Sequence, residues 1–290
     1  MLKKTITTLL TWIVISTSAQ VHDYGFIKSN TIPVFHNNSA LLHPWAGGMN
    51  NIQFAEMDLD FDGVKDIVAF EVHGRRILPF LNKSKSANEI NYVYSPEYAH
   101  LFPDDIHGFF QLIDFNNDGK EDIFTYGIAG IKVYKNVSDT ELKFVEFTDQ
   151  VTSIYYENYI NLFCTEGDYI VIKDMDGDGD LDILAFWALG KYVDFHKNMS
   201  VEKYGNTEHL DFKLVERCWG YFSESEEGNT ITLNDYCDNI KQPYSKQHRH
   251  TGSTMLMLDE NGSGLYDMLL GDMDYPNLFL LLILLLLEPQ

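Results

Sequence analysis

Short apolar stretches alternate with tight polar clusters along this chain, and one order of them recurs four times. Ile52 to Met57 precedes a cluster at 58–66, and Ile67-Val-Ala-Phe70 follows it. Phe109 to Ile113 and Ile123-Phe-Thr-Tyr126 flank 114–122, while Tyr169 to Ile172 and Ile183-Leu-Ala-Phe186 flank 174–182. A fourth copy runs from Met255 to Leu258, through 259–267, into Met268-Leu-Leu270. Outer segments rich in β-branched and aromatic residues follow the first three, at Ile77–Asn82, Ile131–Asn136 and Tyr192–Asn198. Runs this short, punctuated by Gly, Asn and Asp, predict antiparallel strands, and nothing between them keeps a helical period. The clusters start 56, 60 and 85 residues apart. A unit of about 55–60 residues holding four strands has the size of a propeller blade.

The clusters themselves carry the chemistry. The first three read Asp58-Leu-Asp60-Phe-Asp62-Gly63-Val64-Lys-Asp66, Asp114-Phe-Asn116-Asn-Asp118-Gly119-Lys120-Glu-Asp122 and Asp174-Met-Asp176-Gly-Asp178-Gly179-Asp180-Leu-Asp182. The fourth, Asp259-Glu-Asn261-Gly-Ser263-Gly264-Leu265-Tyr-Asp267, keeps only two of the carboxylates. Alternate side chains of a tight loop converge on one point, and Gly at position 6 permits the sharp turn. Hard oxygen donors, several of them charged, suit calcium, with the position-7 carbonyls of Val64, Lys120, Asp180 and Leu265 adding to the set. An EF-hand would need a bidentate Glu at position 12 and flanking helices. Position 12 is instead Ala69, Thr125, Ala185 and Leu270. The first three loops are therefore expected to hold Ca2+, and the fourth weakly or not at all.

These D-x-[DN]-x-D-G-x-x-D loops between strands resemble the FG-GAP or VCBS repeats of integrin α-like β-propellers, found in many secreted bacterial surface proteins. The resemblance covers roughly Trp45 to Asn277, with His43-Pro-Trp45-Ala-Gly-Gly48 similar to the opening of such a propeller. It implies an all-β, propeller-like array of four-stranded blades, with calcium in a structural role and ligands bound on other loops. Specificity would then lie in the long stretches Lys83–His107, Ser138–Thr165 and Val201–His250.

Composition narrows the function. A net charge of −22 works against a nucleic-acid partner, which needs clustered Lys and Arg. Many of the acids fall in the loops, where a cation would offset them. Lys3 and Lys4, the apolar run Ile6 to Ile15 and the small residues Ser16 to Ala19 read as a signal peptide, residues 1–19, cut after Ala19. The chain is thus expected outside the cell or on its surface, with no membrane span. Of three cysteines, Cys218 and Cys237 bracket one short segment that a disulfide can staple, leaving Cys164 as a buried thiol. His248 and His250, either side of Arg249, lie in a polar stretch expected to be a solvated loop.

Asn82, Asn136 and Asn198 each begin an Asn-x-Ser sequon at the same place in successive units, and a strand-end turn explains that recurrence better than glycosylation. No GxSxG or HExxH sequence occurs, so a non-catalytic binding or adhesion module, facing an extracellular protein or glycan, is expected. The alternative is an extracellular polysaccharide lyase on a propeller scaffold. Beyond the propeller region, 20–277, Leu278 to Leu287 is apolar without alternation, which argues against a half-buried strand. Residues 278–290 are expected to be an apolar tail, consistent with a truncated product of a longer gene.

Overall fold

The computed structural model describes residues 30–86, 89–188, 190–225, 228–237, 253–272 and 275–282. The expected signal peptide, the His248–His250 stretch and residues 283–290 lie outside them. Contacts divide the chain into two units, Met1–Trp45 and Ala46–Gln290. In the first, β1 (Phe35–His36) and β2 (Ser39–Ala40) form a small antiparallel hairpin. Its turn is made by Asn37 and Asn38 at φ 48° and 63°, the left-handed backbone that two-residue hairpins require.

The second unit holds four blade sheets in a propeller arrangement and one further two-stranded sheet. The first blade runs β3 (Ile52–Met57), β4 (Asp66–Glu71), β5 (Arg76–Asn82) and β6 (Tyr92–Tyr94), paired in chain order. The second repeats this with β7 (Phe110–Ile113), β8 (Asp122–Tyr126), β9 (Ile131–Asn136) and β10 (Phe144–Thr148). A hairpin, β11 (Thr152–Tyr155) and β12 (Asn158–Asn161), then precedes the third blade's β13 (Val171–Lys173), β14 (Asp182–Phe186) and β15 (Val193–Asn198). A one-turn helix, α1 (Ser200–Tyr204), leads into that blade's fourth strand, β16 (Phe212–Glu216). Strand β11 joins β16 in parallel, so the third sheet has six strands rather than the four expected. A second hairpin, β17 (Phe222–Glu224) and β18 (Ile231–Leu233), follows. The fourth blade shows β19 (Ser253–Leu258), β20 (Asp267–Asp272) and β21 (Leu278–Leu281).

The cores lie between blades. Val68 and Phe70 of the first blade pack with Phe110 and Ile123 of the second. Phe124 and Val133 of the second meet Ile172, Ile183 and Phe212 of the third, and Leu184 and Phe186 of the third meet Met257 and Leu270 of the fourth. Second strands such as Asp182–Phe186 are buried along their whole length because both faces are covered. That is why they read as apolar runs without alternation. Polar links join the first strands: Gln53 Oε1 accepts from Phe110 N at 2.6 Å, and Gln111 Nε2 donates to Ile170 O at 2.8 Å. Met255 N donates to Tyr169 O at 2.9 Å.

Two expectations are corrected. Leu278–Leu281 is a strand, with Phe279 and Leu281 packed on the core and Leu278 and Leu280 exposed; a wholly leucine-rich run hides the alternation its backbone adopts. The stretches read as variable also contain the fourth strands β6, β10 and β16, whose half-exposed residues dilute their apolar signal. The expected disulfide forms: Cys218 and Cys237, Cα–Cα 6.1 Å, pair around the hairpin of β17 and β18, and Phe222 is buried in the core. Cys164 is a buried free thiol, its pKa raised by burial.

Candidate metal centres

Each loop joins the first two strands of a blade, and all four share one hydrogen-bond scaffold. The position-1 carboxylate caps the turn: Asp58 accepts from Asp62 N and Gly63 N, and Asp114 from Asp118 N and Gly119 N. Asp174 accepts from Gly177 N and Gly179 N, and Asp259 from Ser263 N and Gly264 N, all at 2.7–3.1 Å. Position 6 lies at φ 84°, 84°, 100° and 81° in Gly63, Gly119, Gly179 and Gly264, a conformation that strains any side chain. The position-9 carboxylate, fully buried, accepts the position-2 amide: Leu59 N to Asp66, Phe115 N to Asp122, Met175 N to Asp182 and Glu260 N to Asp267.

The other oxygen of position 9 reaches across the blade. Asp66, Asp122 and Asp182 accept from the amides of Asn82, Asn136 and Asn198 at 2.7, 2.7 and 2.8 Å. Each Asn in turn accepts from the amide two residues on, at Ser84, Ser138 and Ser200. The recurrent sequon is therefore an Asx turn that ties the end of the third strand to the loop. Chain recurrence gave the position of these asparagines, but their bond to the loop carboxylate has no signal in sequence.

The side chains at positions 3 and 5 complete a cup. Asp58, Asp60 and Asp62 bring carboxylate oxygens within 4.8 Å of one another, as do Asp174, Asp176 and Asp182, and Asp176, Asp178 and Glu202. In the second loop Asn116 Nδ2 donates to Asp118 at 3.0 Å. Asp60 Oδ1 and Asn116 Oδ1, both at position 3, are buried without a hydrogen-bond partner. A buried acceptor with no donor is costly, and a cation satisfies it. Burial pushes Asp122 and Asp182 up to about 7, with neighbouring loop carboxylates adding to the effect. A donor set of several hard oxygens in this state fits calcium.

Two lysines enter these cups, which sequence reasoning missed. Lys83 Nζ lies 2.5 Å from Asp60 and 3.7 Å from Asp62, and Lys197 Nζ pairs with Asp176, with Asp178 at 3.2 Å, and with Glu202. Both lysine pKa values are raised, first by the hydrogen bond to the position-3 aspartate. Their place beside the repeated Asn, Lys83 after Asn82 and Lys197 before Asn198, is the one signal that could have found them. Adjacent loops also touch: Lys65 pairs with Glu121, Asn117 Nδ2 donates to Gly179 O at 3.2 Å, and Lys173 Nζ sits 4.0 Å above the Tyr266 ring. Each of the first three loops, or the strand leading into it, therefore touches the next loop.

Residues 114–185, from the second loop through the second strand of the third blade, match the FG-GAP-like repeat family. This segment carries an FG-GAP-like repeat. The matched span contains one full repeat period, with the Asp114 and Asp174 loops at its two ends. The same hydrogen-bond scaffold recurs in the loops at Asp58 and Asp259, outside the matched span. No curated protein matches the chain. Among the described residues, no helix is long and apolar enough to cross a membrane.

Proposed function

We propose that this chain is an exported, calcium-stabilised, non-catalytic module that binds an extracellular protein or glycan. Asp58, Asp60, Asp62 and Asp66, with the carbonyl of Val64, would hold one ion. Asp114, Asn116, Asp118 and Asp122 with the Lys120 carbonyl, and Asp174, Asp176, Asp178 and Asp182 with that of Asp180, would hold two more. The set Asp259, Asn261, Ser263, Leu265 and Asp267 would bind weakly, having only two carboxylates. The observation that carries the reading is the pair of buried, partnerless position-3 oxygens on Asp60 and Asn116. Calcium there is structural: it ties a loop whose ninth residue already grips the third strand, and a site closed by protein oxygens leaves little room for substrate. The ion would stabilise the native state by mass action, about 2.7 kcal/mol per site at a hundredfold excess over Kd. Thermal melting in calcium and in chelator tests this. A melting temperature many degrees lower in chelator is expected; identical curves would sink the reading.

A further inference from the structure

The second and third blades leave a cleft of 410 Å³ between them, bordered by the second acidic loop through the Phe115–Phe147 ring contact, and its lining has the chemistry of a sugar site. One wall is the Phe147 end of β10 together with Gln150; the other carries Tyr159 from β12 and Tyr204, His209 and Asp211 from the α1–β16 connection. Three of these rings face solvent, with Phe147 42%, Tyr204 50% and Tyr159 57% exposed. Asp211 sits among them. It accepts from Tyr159 Oη at 3.1 Å, from Tyr204 Oη at 3.0 Å and from Lys203 Nζ at 2.7 Å. Tyr204 stacks on His209 with ring centroids 4.0 Å apart. The volume suits a small ligand of one or two rings.

We infer that this cleft binds a neutral saccharide, taken up by stacking on Tyr159 and Tyr204 and by hydroxyl bonds to Asp211. The inference rests on the reading of the chain as a ligand-binding module and places its ligand. A pyranose has an apolar C–H face, which the electron-rich face of an aromatic ring attracts, and an edge of hydroxyls that need strong acceptors. An ionised carboxylate is the strongest acceptor available for them. Charge selects among ligands. Lys203 already compensates Asp211, so an organic cation gains little over a neutral ring. The chain's charge of −22 disfavours an acidic glycan.

The cleft is also held ready. Asn198 Oδ1 accepts from Asp211 N at 3.1 Å, and Asn198 Nδ2 donates to His209 O at 3.1 Å. The same residue's amide donates to Asp182 of the third loop, so two cleft residues hang directly on the calcium hairpin. Gly205 closes α1 in the left-handed conformation, at φ 71°, and sets Tyr204 at the cleft mouth. The cleft draws on two of the stretches expected to carry specificity, Ser138–Thr165 and Val201–His250.

The test is a titration of the full chain in calcium with cellobiose, lactose and N,N′-diacetylchitobiose, followed by saturation-transfer NMR. Tetramethylammonium and a uronic-acid disaccharide serve as charged probes. At least one neutral disaccharide is expected to bind at or below about 10 mM, with affinity falling about tenfold in Tyr159→Ala and in Asp211→Asn. Tyr159 is exposed, so its replacement leaves the fold intact, and an unchanged melting curve in calcium checks this. Binding by tetramethylammonium or the uronic acid alone overturns the inference, as does no binding by any probe, or sugar binding that both variants retain. Each of those results leaves the calcium-dependent melting untouched, so the two readings fail separately.

Discussion

The first and fourth loops have the same backbone and different chemistry. In both, the first aspartate caps the amides at positions 5 and 6, and the ninth accepts the amide at position 2. In the first, Asp60 keeps a buried oxygen without a partner and Leu59 at position 2 is buried in the core. In the fourth, Asn261 Oδ1 accepts from Ser263 N, a bond that Asp60 does not make, while Ser263 Oγ accepts from Leu265 N just as Asp62 accepts from Val64 N; uncharged Asn261 and Ser263 stand where the first loop has two carboxylates. Position 2 there is the exposed Glu260. The turn is therefore written mainly by positions 1, 6 and 9, and the charge offered to a cation by positions 3 and 5. A chain can lose the second while keeping the first.

Separating the two layers gives graded predictions. Asp182→Ala should have the largest effect, because it strips acceptors from Met175 N and Asn198 N as well as a ligand. A loss of about 2–5 kcal/mol is expected both in calcium and in chelator, by denaturant melts. Asp60→Asn leaves the backbone bonds of the turn in place; besides a metal ligand it removes only the partly exposed ion pair with Lys83, which contributes little. It should cost about 1–3 kcal/mol in calcium and close to nothing in chelator, and equal losses in both would assign Asp60 to the turn instead.

Much of this was legible from the chain alone. The repeat, its loops and the strands on either side follow from period and residue type, and glycine at position 6 follows from the turn it must make. What was not legible depends on pairing partners distant in sequence. Asp66 and Asn82 are bonded because β4 and β5 are in register, and Lys83 and Lys197 enter the cups for the same reason. The leucines of β21 were misread because an unbroken apolar run carries no alternation, although Leu278 and Leu280 face outward.

Smaller effects sharpen the comparison further. An ammonium in the third cup competes with calcium for Asp176 and Asp178, so Lys197→Met should tighten that site about three- to tenfold, read by competition with a calcium dye. Weaker or unchanged binding would show that Lys197 organises the cup rather than blocking it. Ser263→Asp should give the smallest gain, under about 1 kcal/mol, by restoring one carboxylate to the fourth loop on a turn already formed.

The central claim, that positions 3 and 5 set metal occupancy on a turn all four loops share, is tested most directly by a calorimetric calcium titration of the whole chain that counts sites. The account predicts saturable binding at the three loops of Asp58, Asp114 and Asp174, with the loop at Asp259 weak or silent. No saturable binding, or tightest binding at the Asp259 loop, would contradict it.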